Sequence, residues 1–136
     1  MVLNDAIGFT AIHSTDAIYS SGSIVEFDTI VTNTGNHYAP SNYTFTCPIK
    51  GMYMFSVSVL SNTYSYDSPL AILKDNVVLI YMYLNSYGSY SFPTASAVVI
   101  AECDLGQHVY VEATGSAYID GEADSSHFSG ALIQRL

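Results

Sequence analysis

The chain has 136 residues, enough for one domain that buries roughly 68% of the surface its unfolded form exposes. Charged residues make up 11% of it, against about 25% in an ordinary soluble domain, and 49% are hydrophobic; this excludes disorder and points to surface covered by a partner, for which another copy of the chain is the expected candidate. Twelve acidic residues face only Lys50, Lys74 and Arg135, and the net charge of −9 excludes nucleic-acid binding by phosphate neutralisation.

No apolar run reaches ~18 residues, so membrane insertion is not expected. The opening Met1-Val2-Leu3-Asn4-Asp5 lacks the basic start and apolar segment of a signal peptide. No Gly-X-Y repeat or heptad occurs, so the expectation for 1–136 is a single head domain with no stalk in this chain, either a fragment or a protein that is only a head.

Residues 9–13 (FTAIH) alternate as a strand, and 24–32 (IVEFDTIVT) follow a turn cluster at Ser21-Gly22-Ser23. Over 44–60, Phe45, Cys47, Ile49, Tyr53, Phe55, Val57 and Val59 share one parity, while Thr46, Met54, Ser56 and Ser58 take the other. This reads as one long core strand, bent at Gly51 and with Pro48 near its start. Residues 70–74 and 77–84 flank Asp75-Asn76 as a hairpin. The second of these is apolar on both faces, with Val77, Leu79, Tyr81 and Tyr83 opposite Val78, Ile80, Met82 and Leu84; one face fills a core and leaves the other as an exposed patch. Strands over 94–103 and 109–113 flank Leu105-Gly106, and 128–136 (FSGALIQRL) closes the chain. No segment carries an apolar stripe of helical period, so the pattern predicts an all-β sandwich or jelly roll.

Four histidines, His13, His37, His108 and His127, form neither an i, i+4 pair nor an HExxH arrangement, and no Gly-x-Ser-x-Gly or phosphate loop occurs, so an enzyme is not expected. Asp120, Glu122 and Asp124 place three carboxylates at alternate positions of a Gly-containing loop, hard oxygen donors of the kind calcium takes; the other reading is a solvated acidic loop. An EF-hand fails because Ala131 stands at the twelfth position. The segments 61–68 (SNTYSYDS) and 85–92 (NSYGSYSF) gather Tyr64, Tyr66, Asp67, Asn85, Tyr87 and Tyr90. Aromatic faces beside amides and carboxylates suit a carbohydrate or protein ligand, the alternative being tyrosines that cap apolar strand ends. Asn42-Tyr43-Thr44 is a glycosylation acceptor pattern.

Five residues separate Phe27 from Asn33, four separate Asn33 from Tyr38, six separate Tyr38 from Phe45 and five separate Phe45 from Gly51, after which Tyr53, Phe55 and Val57 alternate. This eight-position register resembles the signature of the complement-1q globular-head family, which includes complement component 1q, adiponectin and cerebellin and relates by fold to tumour necrosis factor. Val57 departs from it, standing where Phe or Tyr is usual. The resemblance covers about residues 9–136, including the closing Phe-Ser-Gly stretch.

It implies a two-sheet jelly roll of about ten antiparallel strands, a homotrimer, secretion, and a non-enzymatic recognition role: lectin-like recognition of microbial or glycan ligands in innate immunity, or else a receptor ligand of the adiponectin or cerebellin kind, or a matrix component. Some relatives hold calcium in a Gly-Asp-x-Val turn; the matching turn here is Gly106-Gln107-His108-Val109, with Gln107 in the Asp position and Asp104 as a substitute donor. No other cofactor is implied. The resemblance also sets the strands bearing Cys47 and Cys103 side by side; two buried thiols are the expected state and a disulfide the alternative.

Overall fold

The computed structural model describes residues 6–61, 68–83, 94–121 and 124–136. Among them run twelve strands: β1 Gly8–Ile12, β2 Ala17–Tyr19, β3 Thr29–Thr34, β4 Tyr38–Ala39, β5 Thr44–Thr46, β6 Gly51–Leu60, β7 Leu70–Lys74, β8 Val77–Met82, β9 Thr94–Cys103, β10 His108–Ala113, β11 Ala117–Ile119 and β12 His127–Arg135. A first sheet has the order β3-β1-β12-β6-β9 and a second the order β4-β5-β10-β7-β8, while β11 and β2 make a small third pair. All pairings are antiparallel, and the fold is the expected all-β jelly roll.

The signature residues each have a structural task. Phe27, Phe45, Tyr53, Phe55 and Val57 are buried between the two main sheets together with Phe9 and Phe128. Phe9 stacks on Tyr38 at 4.8 Å and on Phe45 at 5.0 Å, and meets Phe128 edge-on at 4.9 Å, the offset and edge geometries that aromatic quadrupoles favour. Asn33 closes the turn before β4: its Nδ2 donates to the Tyr38 carbonyl at 2.8 Å, and the Tyr38 amide donates to its Oδ1 at 3.1 Å. The Tyr38 hydroxyl then donates to the Phe27 carbonyl at 2.6 Å, so its one polar atom is satisfied inside the core. Gly51 is required by close approach, since a Cβ there would lie 2.6 Å from Leu132 Cδ1 and 2.9 Å from the Gln134 carbonyl oxygen. Gly130 is pinned the same way between the rings of Phe9 and Phe55.

Three expectations are corrected. Residues 44–60 are two strands in different sheets, β5 in the second and β6 in the first, with the chain crossing between them over 47–50. Parity survives because both inner faces look into the same core, so Phe45 and Cys47 before the crossing and Tyr53 and Phe55 after it are all buried. The cysteines are not two thiols: Cys47 and Cys103 form a disulfide with Cα atoms 6.4 Å apart. It joins the end of β9 to the crossing segment and so ties the two sheets together. Residues 24–28 are not strand; only Ile24 makes a bridge, to Glu112, and regular pairing begins at Thr29.

Candidate functional site

The sandwich offers two outer faces of unlike chemistry. On the first sheet, alternation turns Thr10, Met54, Ser56, Val98, Ile100, Ser129 and Ala131 away from the core. The register lines them up in rows, Gly8–Ala131–Met54–Ile100 and Thr10–Ser129–Ser56–Val98. Where the row residues are small, at Gly8, Thr10, Ser56, Ser129 and Ala131, the face is hollowed into a groove of about 280 Å³, its floor tied by a 2.7 Å hydrogen bond between the Thr10 and Ser129 hydroxyls. Where they are large, at the β9 edge, Val98 and Ile100 are 57% and 58% exposed. Edge strand β8 of the second sheet lies near β9, and its Val77 and Tyr81 are also exposed, Tyr81 opposite Ala71 on the second sheet's outer side, as the two-sided apolar pattern predicts.

The second sheet's outer face carries a small apolar cluster, Ala71, Leu73, Tyr110 and Val78, and beside it a polar cleft of about 300 Å³. The β7–β8 hairpin supplies Asp75 and Asn76, whose φ values of 44° and 69° are those that a tight primed turn demands of both central residues. Strand β10 supplies His108 and Tyr110, the turn between β4 and β5 supplies Asn42, and the start of β5 supplies Thr44. The His108 amide donates to Asp75 Oδ1 at 3.0 Å, and His108 Nδ1 lies 3.3 Å from the same oxygen. A carboxylate only accepts, so Nδ1 carries the hydrogen and Nε2 is left as the acceptor of the neutral ring. Tyr110 and Asn76 lock each other: the hydroxyl donates to Asn76 Oδ1 at 3.0 Å and accepts from the Asn76 backbone N–H at 3.2 Å.

The residues singled out for calcium fall into two places. Asp104 and Gln107 sit in the β9–β10 turn, where the Asp104 amide donates to Gln107 Oε1 at 2.8 Å and so engages one of the two oxygens that a cation would need. Asp120 is buried just after β11, with its amide donating to the Leu60 carbonyl, and Asp124 is exposed. Cys103 pairs with Gly51 at one end of β6, and Asp120 meets Leu60 at the other. Ten residues at about 3.3 Å each put the two places about 30 Å apart, so they do not form one site. Among the described residues no three His, Cys, Asp or Glu side chains cluster as a metal site. Glu122 and the ligand candidates Tyr64, Tyr66, Asp67, Asn85, Tyr87 and Tyr90 lie outside the described residues.

The end of the sandwich at Leu60 is built differently from the disulfide end. His13 is buried, its Nε2 2.6 Å from the Tyr19 hydroxyl, which also accepts from the Glu26 amide at 3.1 Å. The imidazole Nδ1 has no hydrogen-bond partner among the described residues. Burial pushes the His13 pKa below its ordinary value, outweighing Asp28, the Thr15 backbone, Glu26 and Asp16, all of which favour the charged form. Burial likewise pushes the Tyr19 hydroxyl up to about 12. Neither group lines a cleft described above; they hold the β1–β2 connection in place.

Comparison with known proteins accords with this geometry. Residues 8–133 match the C1q domain family. Complement C1q and tumor necrosis factor-related protein 9 of Mus musculus is 30% identical over 113 residues, 80% of this chain and 33% of that protein. Related protein 9A of Homo sapiens is 30% identical over 118 residues, 84% of this chain and 34% of its own. The chain thus spans about a third of the length of the curated relatives it matches. Among solved structures, the globular domain of zebrafish complement 1qA superposes with a TM-score of 0.76 at 14% identity, covering 96% of this chain and 99% of that one. Murine APRIL at pH 5.0 gives 0.77 at 10% identity, covering 94% and 99%. At those identities the likeness speaks for the fold alone.

Proposed function

The chain belongs to the C1q-domain family, and from that premise we propose that it is an extracellular, non-enzymatic recognition head that works as a homotrimer. The observation that carries this is the first sheet's outer face. A groove of small residues at its centre and an apolar ridge of Val98 and Ile100 along β9 are complementary features on different parts of one surface. A contact of ridge into groove is heterologous, and such contacts close into a ring when the rotation between copies divides a full turn. Three copies is the ring that the family kinship supports. The Cys47–Cys103 disulfide supports an oxidising compartment and hence secretion. Among the described residues no helix is long and apolar enough to cross a membrane.

Once that face is taken up in assembly, ligand contact falls to the loops and the second sheet's outer face. Glycan recognition in innate immunity is the reading that the polar cleft favours, and Tyr64, Tyr66, Asp67, Asn85, Tyr87 and Tyr90 remain candidate contacts in the loops. A receptor ligand is the second reading, favoured by the kinship with proteins named for both C1q and tumor necrosis factor. Sedimentation of the purified chain tests assembly, and a glycan array run with and without calcium separates the two readings. Saccharide preference supports recognition of glycans; a trimer without any preference supports the receptor ligand.

A further inference from the structure

We propose that the cleft between the β7–β8 hairpin, β10 and the β4–β5 turn binds a neutral saccharide ring through Asp75, Asn76 and His108. The inference rests on reading the chain as a recognition head, but it names a place that the sequence pattern did not. Three groups there have no hydrogen-bond partner among the described residues: Asp75 Oδ2, the Asn76 side-chain nitrogen and His108 Nε2. They are an obligate acceptor, an obligate donor and, in the tautomer that Asp75 imposes, a second acceptor. Adjacent hydroxyls on a sugar ring, each able to donate and accept at once, are the complement of such a set.

The groups are also held in advance. Asp75 is fixed by the His108 amide, and Asn76 by its reciprocal bonds with Tyr110, so little side-chain freedom is left to lose on binding. A volume of about 300 Å³ lies at the lower end of small-molecule sites, which run from roughly 300 to 1,000 Å³, and suits one ring better than an extended chain. Ile24, 36% exposed at the rim, offers apolar surface to ring C–H groups. The carboxylate in the cleft and the net charge of −9 disfavour sulfated or sialylated sugars. Asn42, in the acceptor pattern Asn42-Tyr43-Thr44, lines the same cleft, so the sugar comes either from a partner or from this chain's own glycan.

The experiment titrates the bacterially produced, isotope-labelled assembly with methyl glycosides of glucose, galactose, mannose and N-acetylglucosamine, with N-acetylneuraminic acid as the anionic control, in calcium and in EDTA. The expected result is that at least one neutral glycoside shifts the amide resonances of Asp75, Asn76 and His108, and that the acid does not. Binding should weaken at least tenfold in Asp75→Asn and in Asn76→Gly. The glycine variant keeps the left-handed turn while removing the amide side chain. Both variants should sediment as the parent does, which separates loss of the site from loss of assembly. Chain secreted with an Asn42 glycan, compared with Asn42→Gln, tells the two sugar sources apart: glycoside binding restored only in Asn42→Gln assigns the cleft to the chain's own glycan, and equal binding assigns it to a partner's. The proposal is overturned if no neutral glycoside moves these resonances, if both variants bind as the parent does, or if calcium alone moves them.

Discussion

The two outer faces of the sandwich share a core and differ in almost everything else. The first sheet's face is wide, with small residues at its centre and exposed Val98 and Ile100 at its edge, and two pairs of its hydroxyls bond each other, Thr10 with Ser129 and Ser58 with Ser96. The second sheet's face buries Ala71, Leu73 and Tyr110 in a small cluster, leaves Tyr81 exposed at its β8 edge, and beside the cluster opens a cleft with polar atoms not yet engaged. A face with large apolar side chains exposed beside a hollow of small ones calls for another protein surface. A cleft with polar atoms not yet engaged calls for a small polar ligand. On the proposed reading, assembly and recognition fall on different sheets.

The largest effect should come from breaking the first face. Val98→Asp with Ile100→Asp places two carboxylates on the ridge, and the expected outcome is a shift from trimer to single chains in sedimentation velocity, with the circular dichroism unchanged. The shared core comes next. Phe55 is buried against Phe45, Tyr53 and Gly130, and Phe55→Ala should cost about 3–5 kcal/mol in urea unfolding, to the detriment of both faces. The disulfide bridges residues 56 apart in sequence, and Cys47→Ala with Cys103→Ala should cost about 4 kcal/mol in the chain-entropy account. Its loss should loosen the cleft end of the molecule, whose β9–β10 turn it anchors, before the end at His13.

A pH titration sharpens the contrast between the two ends. The folded-state pKa of His13 lies below the ordinary value of about 6.5, so the unfolded chain takes up the proton first. The stability that His13 contributes is therefore complete above that value and is lost as pH falls below it, until the folded state is protonated as well. Thermal midpoints measured from about pH 7.5 down to about pH 5 should fall, and His13→Gln should flatten the curve. The smallest effect is a null one: Asp75→Asn and Asn76→Gly should leave sedimentation unchanged, since neither residue touches the first face.

Much of this was legible in the sequence, for definite reasons. Strands β7 and β9 match the expected 70–74 and 94–103, because alternating or uniformly apolar runs bounded by Asp75-Asn76 and by Leu105-Gly106 leave little freedom at their ends. The change of sheet at 47–50 was not legible, because inward parity is the same on both sides of a shared core. Strands β2, β4 and β11, of two or three residues each, are too short to carry any period. The cleft escaped notice for another reason. Asn42, Asp75 and His108 are far apart along the chain, and only the pairing of β10 with β5 and β7 sets them around one hollow. His108 read as part of a turn, and Asp75-Asn76 as nothing more than a hairpin tip.

Whether the first sheet's outer face is an assembly surface is the claim on which the rest depends. Sedimentation equilibrium of the unmodified chain at micromolar concentration tests it most directly. A mass three times that of the chain is the predicted result, and the mass of a single chain would contradict it.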